Sequence, residues 1–304
     1  MHRFQMKNEF QNGFQHFIPR GFYPYSIISR IAFLFSFGKI YELLCRFKFA
    51  LFTGWNKINH KTNSFPHLIF LHIPRTGGTT IGHLLLNNYK KEEHVKFQYN
   101  DNIINRTDIA NISKDNTRSR KILCIHSPYG IHKLLGNNFQ YMTIIRNPID
   151  RMISHFYFAK ENKRHYLNKL IISNNWTISD YVNSRISEEL DNGQVRLISG
   201  VGNSIKFGEC TVDLLEIAKC NLLNSFSVVG LFEDIQEFEN ELVKKYKFVS
   251  NTGIWLNKAI MRPKLEEIDR FTVESILAYN SLDFELYNWV KKIKDQRTYQ
   301  IGPR

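Results

Sequence analysis

Residues 67–89, HLIFLHIPRTGGTTIGHLLLNNY, decide the fold. Residues 68–71 form a continuous apolar run, which is typical of a strand buried on both faces of a parallel sheet. Two adjacent glycines, Gly77 and Gly78, break this run, and apolar residues then return at helical spacing. The stretch therefore predicts a strand, a glycine-containing loop and a helix in direct succession.

The predicted loop has the composition of an anion site. A helix N-terminus favours negative charge through its N–H groups and its dipole, and glycine lets the backbone approach a phosphate closely. Arg75 adds a fixed positive charge. The other candidate phosphate ligands are Thr76, Gly77, Gly78, Thr79 and Thr80. An ordinary strand–helix turn is the alternative interpretation, but one cation and three threonines within six residues favour phosphate binding.

The order of these residues excludes a Walker A loop, which requires the pattern GxxxxGK[ST]. This stretch lacks the leading glycine, and no lysine follows its second glycine, because the cation comes first. The loop therefore cannot wrap a triphosphate in the manner of nucleotide hydrolases.

The composition is that of a globular protein with a basic surface. The chain of 304 residues is 43% hydrophobic, which is enough for one large α/β domain or two small ones. Its formal charge of +13 should attract polyanions or anionic headgroups. That charge suits a phosphorylated cofactor, an acidic glycan or nucleic acid. Because no helix-turn-helix, RNP or zinc-finger pattern is present, we expect no nucleic-acid partner.

Residues 1–64 form a distinct N-terminal segment that is basic, aromatic and partly helical. Residues 22–52 are strongly apolar, but their longest uncharged run after the first cation, residues 31–38, is far below the roughly 20 residues that span a bilayer. We expect this segment to pack against the main domain, residues 65–295, or to contact a membrane peripherally. Residues 296–304 form a tail. No cleavable signal is recognisable, which favours a cytoplasmic or peripheral-membrane protein.

The four cysteines show no CxxC pair and no metal-ligand spacing, so no metal is expected. Cys124 falls in an apolar run typical of a core. Cys210 and Cys220 could pair in an oxidising compartment, which leaves a Golgi-lumen-like location open.

A candidate base follows the next buried strand. Residues 90–120 are polar and predict a long surface excursion, after which residues 121–125 predict a strand that ends at His126. Ligands bind at the carboxyl ends of parallel strands, so His126 should share a sheet edge with Arg75 if the two strands are neighbours. A histidine there can act as a general base, and a structural histidine is the alternative. His132 is the weaker candidate.

A second phosphate site is predicted further along. Residues 141–145 form a third apolar strand, which Arg146 follows, and Pro148 suits the first turn of the next helix. Ser154 lies eight residues after Arg146, about two turns into that helix. A guanidinium at the end of a strand and a hydroxyl on the next helix can converge on one phosphate.

These segments, in this order, resemble the sulfotransferases that use 3′-phosphoadenosine 5′-phosphosulfate (PAPS). The similarity is to the carbohydrate O-sulfotransferases of sulfotransferase family 2, related to the heparan sulfate 2-O and 6-O enzymes. H-I-P-R-T-G-G-T-T resembles the family's 5′-phosphosulfate loop, and R-N-P-x-x-R-x-x-S resembles its 3′-phosphate clamp. The segment from His126 resembles G-H-x-x-Y-G-L-H. Three departures are Arg75 in place of lysine, Ile125 in place of glycine and Asn147 in place of an acid.

The resemblance implies an α/β, P-loop-like, three-layer fold with a central, mainly parallel sheet flanked by helices. It also implies in-line transfer of the sulfuryl group of PAPS to a hydroxyl of a carbohydrate or glycan, acidic glycans included. In this scheme His126 is the base, Arg75 and the loop amides hold the 5′-phosphate, and Arg146 and Ser154 hold the 3′-phosphate. Arg196 would lie beside the nucleotide, with a structural salt bridge as the alternative.

Two functions from other classes remain as alternatives. A catalytically silent nucleotide- or glycan-binding protein would keep the loop and the clamp, while His126 would be dispensable. A nucleotide kinase would need Mg²⁺ ligands and a Walker-type lysine, which the sequence does not offer.

Overall fold

The computed structural model describes residues 66–90, 93–96, 121–135, 139–249, 263 and 265–300. These residues all belong to the unit Lys57–Arg304, which is one of two units into which the chain divides. The other unit, Met1–Asn56, and with it the predictions made for residues 22–52, lies outside the described residues.

A five-stranded sheet forms the centre of the described unit. Its strands are β1 (Leu68–Leu71), β2 (His94–Lys96), β3 (Ile122–Ile125), β4 (Gln140–Ile145) and β5 (Phe226–Leu231). Their order across the sheet is β2-β3-β1-β4-β5, and all four strand pairs are parallel. All four residues of β1 are buried, which explains why its sequence is continuously apolar instead of alternating.

One expectation fails at the edge of the sheet. The polar residues 90–120 predicted a surface excursion, yet His94–Lys96 form β2 and pair in parallel with β3, from His94↔Ile122 to Lys96↔Cys124. This strand has three residues and, among the residues that the structure describes, one partner strand, so it needs no run of apolar side chains. The sequence therefore carries little signal for it.

Ten helices connect and cover the strands in the part of the chain that the structure describes. They are α1 (Gly78–Asn88), α2 (His132–Leu135), α3 (Pro148–Glu161), α4 (Asn168–Ser173), α5 (Ile178–Asn183), α6 (Gly193–Ser199), α7 (Val212–Ser225), α8 (Ile235–Tyr246), α9 (Arg270–Tyr279) and α10 (Ser281–Gln300). None of the described helices is both long and apolar enough to cross a membrane.

The two faces of the sheet are covered by different helices. On one face, Ile69 and Leu71 belong to a buried cluster with side chains of α6, α7 and α10. On the other face, Leu68 and Phe70 belong to a cluster with side chains of α1 and α8. The sheet is therefore the middle of three layers, which confirms the predicted α/β class with a central parallel sheet flanked by helices.

A third cluster of buried side chains joins α3, α4, α5 and α9. Met152, Phe156 and Tyr181 are almost completely buried within it. Because these side chains hold the inner face of α3 in place, the polar residues on the same helix have defined positions. Two of them, Ser154 and His155, are themselves buried.

Candidate active site

The loop between β1 and α1 can be built only with glycine at two positions. Gly77 precedes α1 with a φ of 81°, and a Cβ on it would lie 2.8 Å from Cδ1 of Ile235. A Cβ on Gly78 would lie 1.9 Å from the imidazole of His72. The loop is therefore pressed between α8 and the His72 ring, in the strand–loop–helix order that the sequence predicts.

The threonines of the loop have different environments. Thr76 is fully buried, and its hydroxyl donates to the carbonyl of Ile73 at 2.9 Å, so this side chain holds the loop. Thr79 is exposed and Thr80 is half-buried, and both lie in the first turn of α1. The N–H groups of a first turn point out of the helix, toward the mouth of the loop.

Arg75 joins this loop to α3. Its Nε donates to Oγ of Ser154 at 3.1 Å, and its guanidinium lies 4.3 Å from the centre of the Phe158 ring. Its own carbonyl accepts a hydrogen bond from Nη1 of Arg146 at 2.9 Å. Three of the residues predicted to bind phosphate, Arg75, Arg146 and Ser154, are thus brought together, although Arg75 and Ser154 lie 79 residues apart.

Arg146 is held by a glutamine that sequence reasoning did not single out. The side chain of Gln194 bonds the backbone of Arg146 twice, accepting from its N–H and donating to its carbonyl, both at 2.9 Å. The guanidinium of Arg146 also lies 4.0 Å from the centre of the Phe232 ring. Gln194 therefore fixes the direction in which Arg146 leaves β4.

Gln194 lies at the start of α6, where α6 and α10 cap each other's first turns. The carboxylate of Asp283, in α10, accepts from the N–H groups of Gln194 and Val195 at 3.0 and 2.7 Å. The side-chain oxygen of Asn192, before α6, accepts from the N–H groups of Leu282 and Asp283 at 2.9 and 3.1 Å. Each side chain supplies an acceptor that the other helix lacks.

Asn147 caps the start of α3. Its side-chain oxygen accepts from the N–H groups of Ile149 and Asp150 at 3.0 and 3.4 Å, and Pro148 occupies the first turn of α3. This cap fixes the start of α3, and with it the position of Ser154.

His126 follows β3 and lies against His72, with ring centres 4.1 Å apart. Burial lowers the pKa of His126, while the charge of Glu189 and a hydrogen bond to the backbone of His72 oppose that shift. The neutral imidazole, which is the form that accepts a proton, is therefore favoured at neutral pH. Burial, followed by the charges of His126 and Arg75, lowers the pKa of His72 well below its usual value.

His132 lies elsewhere. Its Nδ1 is 2.9 Å from the hydroxyl of Tyr141, the second residue of β4. Tyr141 precedes the end of that strand by four residues, or roughly 13 Å at the usual rise per residue. The geometry therefore places His132 near the amino ends of the strands, whereas His126 follows the carboxyl end of β3.

Arg196 has the structural role that the sequence left open as an alternative, because it forms a salt bridge with Asp191. It is buried, and all five N–H donors of its guanidinium are used within the protein. Its acceptors are the carboxylate of Asp191 and the carbonyls of Asp191, Gly202, Ile205 and Lys206. These contacts tie the segment before α6, at Asp191, to the loop after it, so no donor of Arg196 is left for a cofactor and it is not part of the proposed cofactor site.

A buried polar chain beside the site had no counterpart in the sequence predictions. Nε2 of His155 lies 2.9 Å from the carboxylate of Glu189, and Nδ1 lies 2.6 Å from the hydroxyl of Tyr181. The sequence offered one signal for His155, which is that it immediately follows Ser154 of the predicted phosphate clamp. Among the residues that the structure describes, no group of three or more His, Cys, Asp and Glu side chains could hold a metal ion.

The sequence was compared with those of known proteins. Residues 60–290 match the model of the sulfotransferase family, and because this is more than half of the chain, the chain belongs to that family. A search of curated proteins found no match. A crystal structure of mouse sulfotransferase SULT7A1 complexed with PAP is similar at 13% identity and a TM-score of 0.37, over 72% of this chain and 65% of that one.

Proposed function

We propose that this chain is a PAPS-dependent O-sulfotransferase that transfers a sulfuryl group to a hydroxyl of a carbohydrate or glycan. One observation carries the proposal. Arg75, Arg146 and Ser154 form one bonded group beside the glycine loop, as a cofactor with phosphates at both ends would require. Membership of the sulfotransferase family supports it, and the formal charge of +13 suits an acidic glycan as the acceptor.

The residues present fit such a cofactor. The N–H groups at the start of α1 point out of the helix, and the cations Arg75 and Arg146 and the hydroxyl of Ser154 lie beside it, which is a donor set that suits phosphate. Arg75 and these amides would hold the 5′-phosphosulfate. Arg146 and Ser154 would hold the 3′-phosphate. Because Oγ of Ser154 accepts from Arg75, its own O–H can donate to a phosphate oxygen.

The chemistry requires a base and a stabilising charge. When bound, the cofactor supplies an activated sulfuryl group and a phosphate leaving group. The imidazole of His126 takes the proton of the acceptor hydroxyl as its oxygen attacks, because a free alcohol is a poor nucleophile. Arg75 and the loop amides stabilise the negative charge that develops on the departing phosphate. No step requires a metal ion, since the fixed positive charge of Arg75 and the loop amides stabilises the departing phosphate.

Two matched variants test the proposal. Transfer from radiolabelled PAPS is measured on a panel of glycans for the wild type, His126→Ala and His132→Ala. His126→Ala should lose roughly 10²–10⁴-fold in turnover, the usual value of general-base catalysis, yet still bind adenosine 3′,5′-bisphosphate. His132→Ala should retain its activity, because its ring contacts Tyr141 near the other end of the strands.

Three results would contradict parts of this proposal. Full activity of His126→Ala together with an inactive His132→Ala would show that the base is assigned to the wrong histidine. Sulfation of phenols or simple alcohols with no glycan product would remove the carbohydrate assignment. Tight binding of adenosine 3′,5′-bisphosphate by a wild type that sulfates nothing would favour the catalytically silent binding protein.

A further inference from the structure

The side-chain amide of Gln194 acts as a strand partner at the end of β4. Arg146 is the first residue after that strand, and its backbone N–H and carbonyl both bond this one amide, at 2.9 Å each. Two residues in neighbouring antiparallel strands exchange a similar pair of bonds. Because an N–H only donates and a carbonyl only accepts, the two bonds allow the amide a single orientation. They therefore fix the backbone conformation of Arg146.

Burial makes these two bonds important. Gln194 is fully buried and Arg146 is nearly so. Without the amide, the N–H and the carbonyl of Arg146 would lose these partners, and a buried polar group without a partner is unfavourable. The chain after β4 would then have to turn to find other partners, and the side chain of Arg146 would turn with it.

Gln194 is held from the other side as well. Its own N–H donates to the carboxylate of Asp283 at 3.0 Å, and this carboxylate forms an ion pair with Arg151 at 3.6 Å. A Cβ on the preceding residue, Gly193, would lie 2.9 Å from Nη2 of Arg151, so α6 begins in close contact with that guanidinium. The start of α6 is thus fixed by groups of α3 and α10, and through the amide it fixes the position of Arg146.

The guanidinium of Arg146 makes two contacts at the carboxyl edge of the sheet. Its Nη1 donates to the carbonyl of Arg75 at 2.9 Å, and the group lies 4.0 Å from the centre of the Phe232 ring. Ser154 joins this group through its bond with the side chain of Arg75. These contacts orient the guanidinium beside Arg75 and Ser154, where the proposed function places the 3′-phosphate.

We propose that Gln194 is a specificity-determining positioning residue, which aims Arg146 at the 3′-phosphate and so lets the protein distinguish 3′-phosphorylated nucleotides from those without that group. The inference rests on the proposed function, because that function assigns the 3′-phosphate to Arg146 and Ser154. Gln194 touches no part of the cofactor in this scheme and acts through Arg146. Binding of a phosphate by a guanidinium fork depends on direction as well as on charge, so a turned Arg146 would lose part of it.

The test measures a ratio of two dissociation constants. The Kd of AMP is divided by the Kd of adenosine 3′,5′-bisphosphate, both taken by titration calorimetry on the full chain. The two ligands differ only in the 3′-phosphate, so the ratio isolates the contribution of that group. A variant that only loosened the fold would weaken both ligands and leave the ratio unchanged. The second measurement separates kcat from the KM of PAPS with the best glycan acceptor.

Four variants are compared with the wild type. Gln194→Met removes both bonds to Arg146, keeps nearly the same side-chain size and adds no charge. Asn221→Ala is the control for a general loosening of α6, because the described hydrogen bonds of Asn221 are to the carbonyls of Ile198 and Ser199 in that helix. Arg146→Ala and the double variant Gln194→Met/Arg146→Ala complete a double-mutant cycle.

The expected result is a selective loss of 3′-phosphate recognition. Gln194→Met should lower the ratio roughly 10-fold, since a hydrogen bond to a charged group is typically worth at least that factor. The KM of PAPS should rise with little change in kcat, because the 3′-phosphate does not react and contributes uniform binding. Asn221→Ala should keep the wild-type ratio. In the Arg146→Ala background, Gln194→Met should change the ratio no further.

The outcomes separate the inference from the function. An active protein whose ratio is unchanged in Gln194→Met would overturn the inference and leave the function standing. A ratio that falls by the same factor in the Arg146→Ala background would also overturn it, since Gln194 would then not act through Arg146. A wild type that transfers no sulfuryl group, with a lowered ratio in Gln194→Met, would overturn the proposed function and support the positioning role.

A shorter amide covers the case in which Gln194→Met does not fold. Gln194→Asn keeps the amide but is one methylene shorter, so it cannot bond both backbone groups of Arg146 in the same geometry. The ratio should fall in this variant too. A wild-type ratio in a folded Gln194→Asn would overturn the inference.

Discussion

At the scale of single residues, Arg75 is the side chain on which most depends. It has a φ of 69°, and its guanidinium reaches both Ser154 and the Phe158 ring. Arg75→Ala should lower kcat/KM by roughly 10²–10³-fold, the usual cost of removing a group that stabilises developing charge. The fold should survive, because alanine and arginine both carry a Cβ and meet the same strain at this φ. Activity and thermal unfolding are measured together.

Arg185 offers a matched control for that substitution. It also has a positive φ, 52°, and its guanidinium lies over the rings of Phe207 and Tyr279. Arg185→Ala should leave kcat/KM unchanged, whereas Arg75→Lys should keep much of the activity, because a lysine also places a cation in the loop. A fully active Arg75→Ala variant would mean that the loop is structural.

The sequence predicted these residues unevenly, for a physical reason. Arg75 and Arg146 each follow a buried strand of a parallel sheet, so strand prediction alone puts them at one edge. Arg196 lies in α6, and its role depends on carbonyls of the following loop, such as that of Ile205, which no local pattern reveals. Gln194 was not singled out because its side chain bonds the backbone of Arg146, which lies 48 residues away in sequence.

At the scale of elements, the close approach of α1 to the end of β1 gives a sharp test. A Cβ on Gly78 would lie 1.9 Å from the His72 ring, so Gly78→Ala must displace that ring, which in turn contacts His126. We expect a loss of roughly 1–3 kcal/mol in the free energy of unfolding, the usual cost of overpacking, and a clear loss of turnover. Chemical denaturation and sulfuryl transfer measure the two effects.

Gly82 provides the control within the same helix. A Cβ there meets nothing within 4 Å, so Gly82→Ala should be neutral or stabilising by up to about 1 kcal/mol. If the two variants behaved alike, the contact between α1 and His72 would not be as tight as the geometry indicates.

The elements themselves were largely predictable, and the exceptions share a cause. β1, β3 and β4 lie where apolar runs predict them, because strands buried on both faces need such runs. β2 lacks that signal, since it is short and lies at the edge of the sheet. The mutual capping of α6 and α10 could not be predicted either. Asn192 and Asp283 are common capping residues, but each caps a helix distant in sequence, and that partner helix is known only once the chain has folded.

At the scale of the whole molecule, the site connects parts of the chain that are far apart in sequence. The clamp joins the β1–α1 loop to the end of β4 and to α3, and Gln194 and Asp283 extend the connection to α6 and α10. A ligand held by these residues would bind only to the folded arrangement. Its binding free energy would therefore be added to the stability of the unit as a whole.

Thermal unfolding with two nucleotides tests this coupling. Adenosine 3′,5′-bisphosphate at about 100 times its Kd should raise the Tm by roughly 5–10 °C, because such saturation adds about 2.7 kcal/mol. AMP, which lacks the 3′-phosphate, should give a much smaller shift at the same concentration. In Ser154→Ala the two shifts should approach each other, whereas Ser173→Ala, an exposed serine on α4, should behave as the wild type does. Equal shifts for both nucleotides in the wild type would show that Arg146 and Ser154 do not bind a 3′-phosphate, even if the loop beside Arg75 binds the 5′-phosphate.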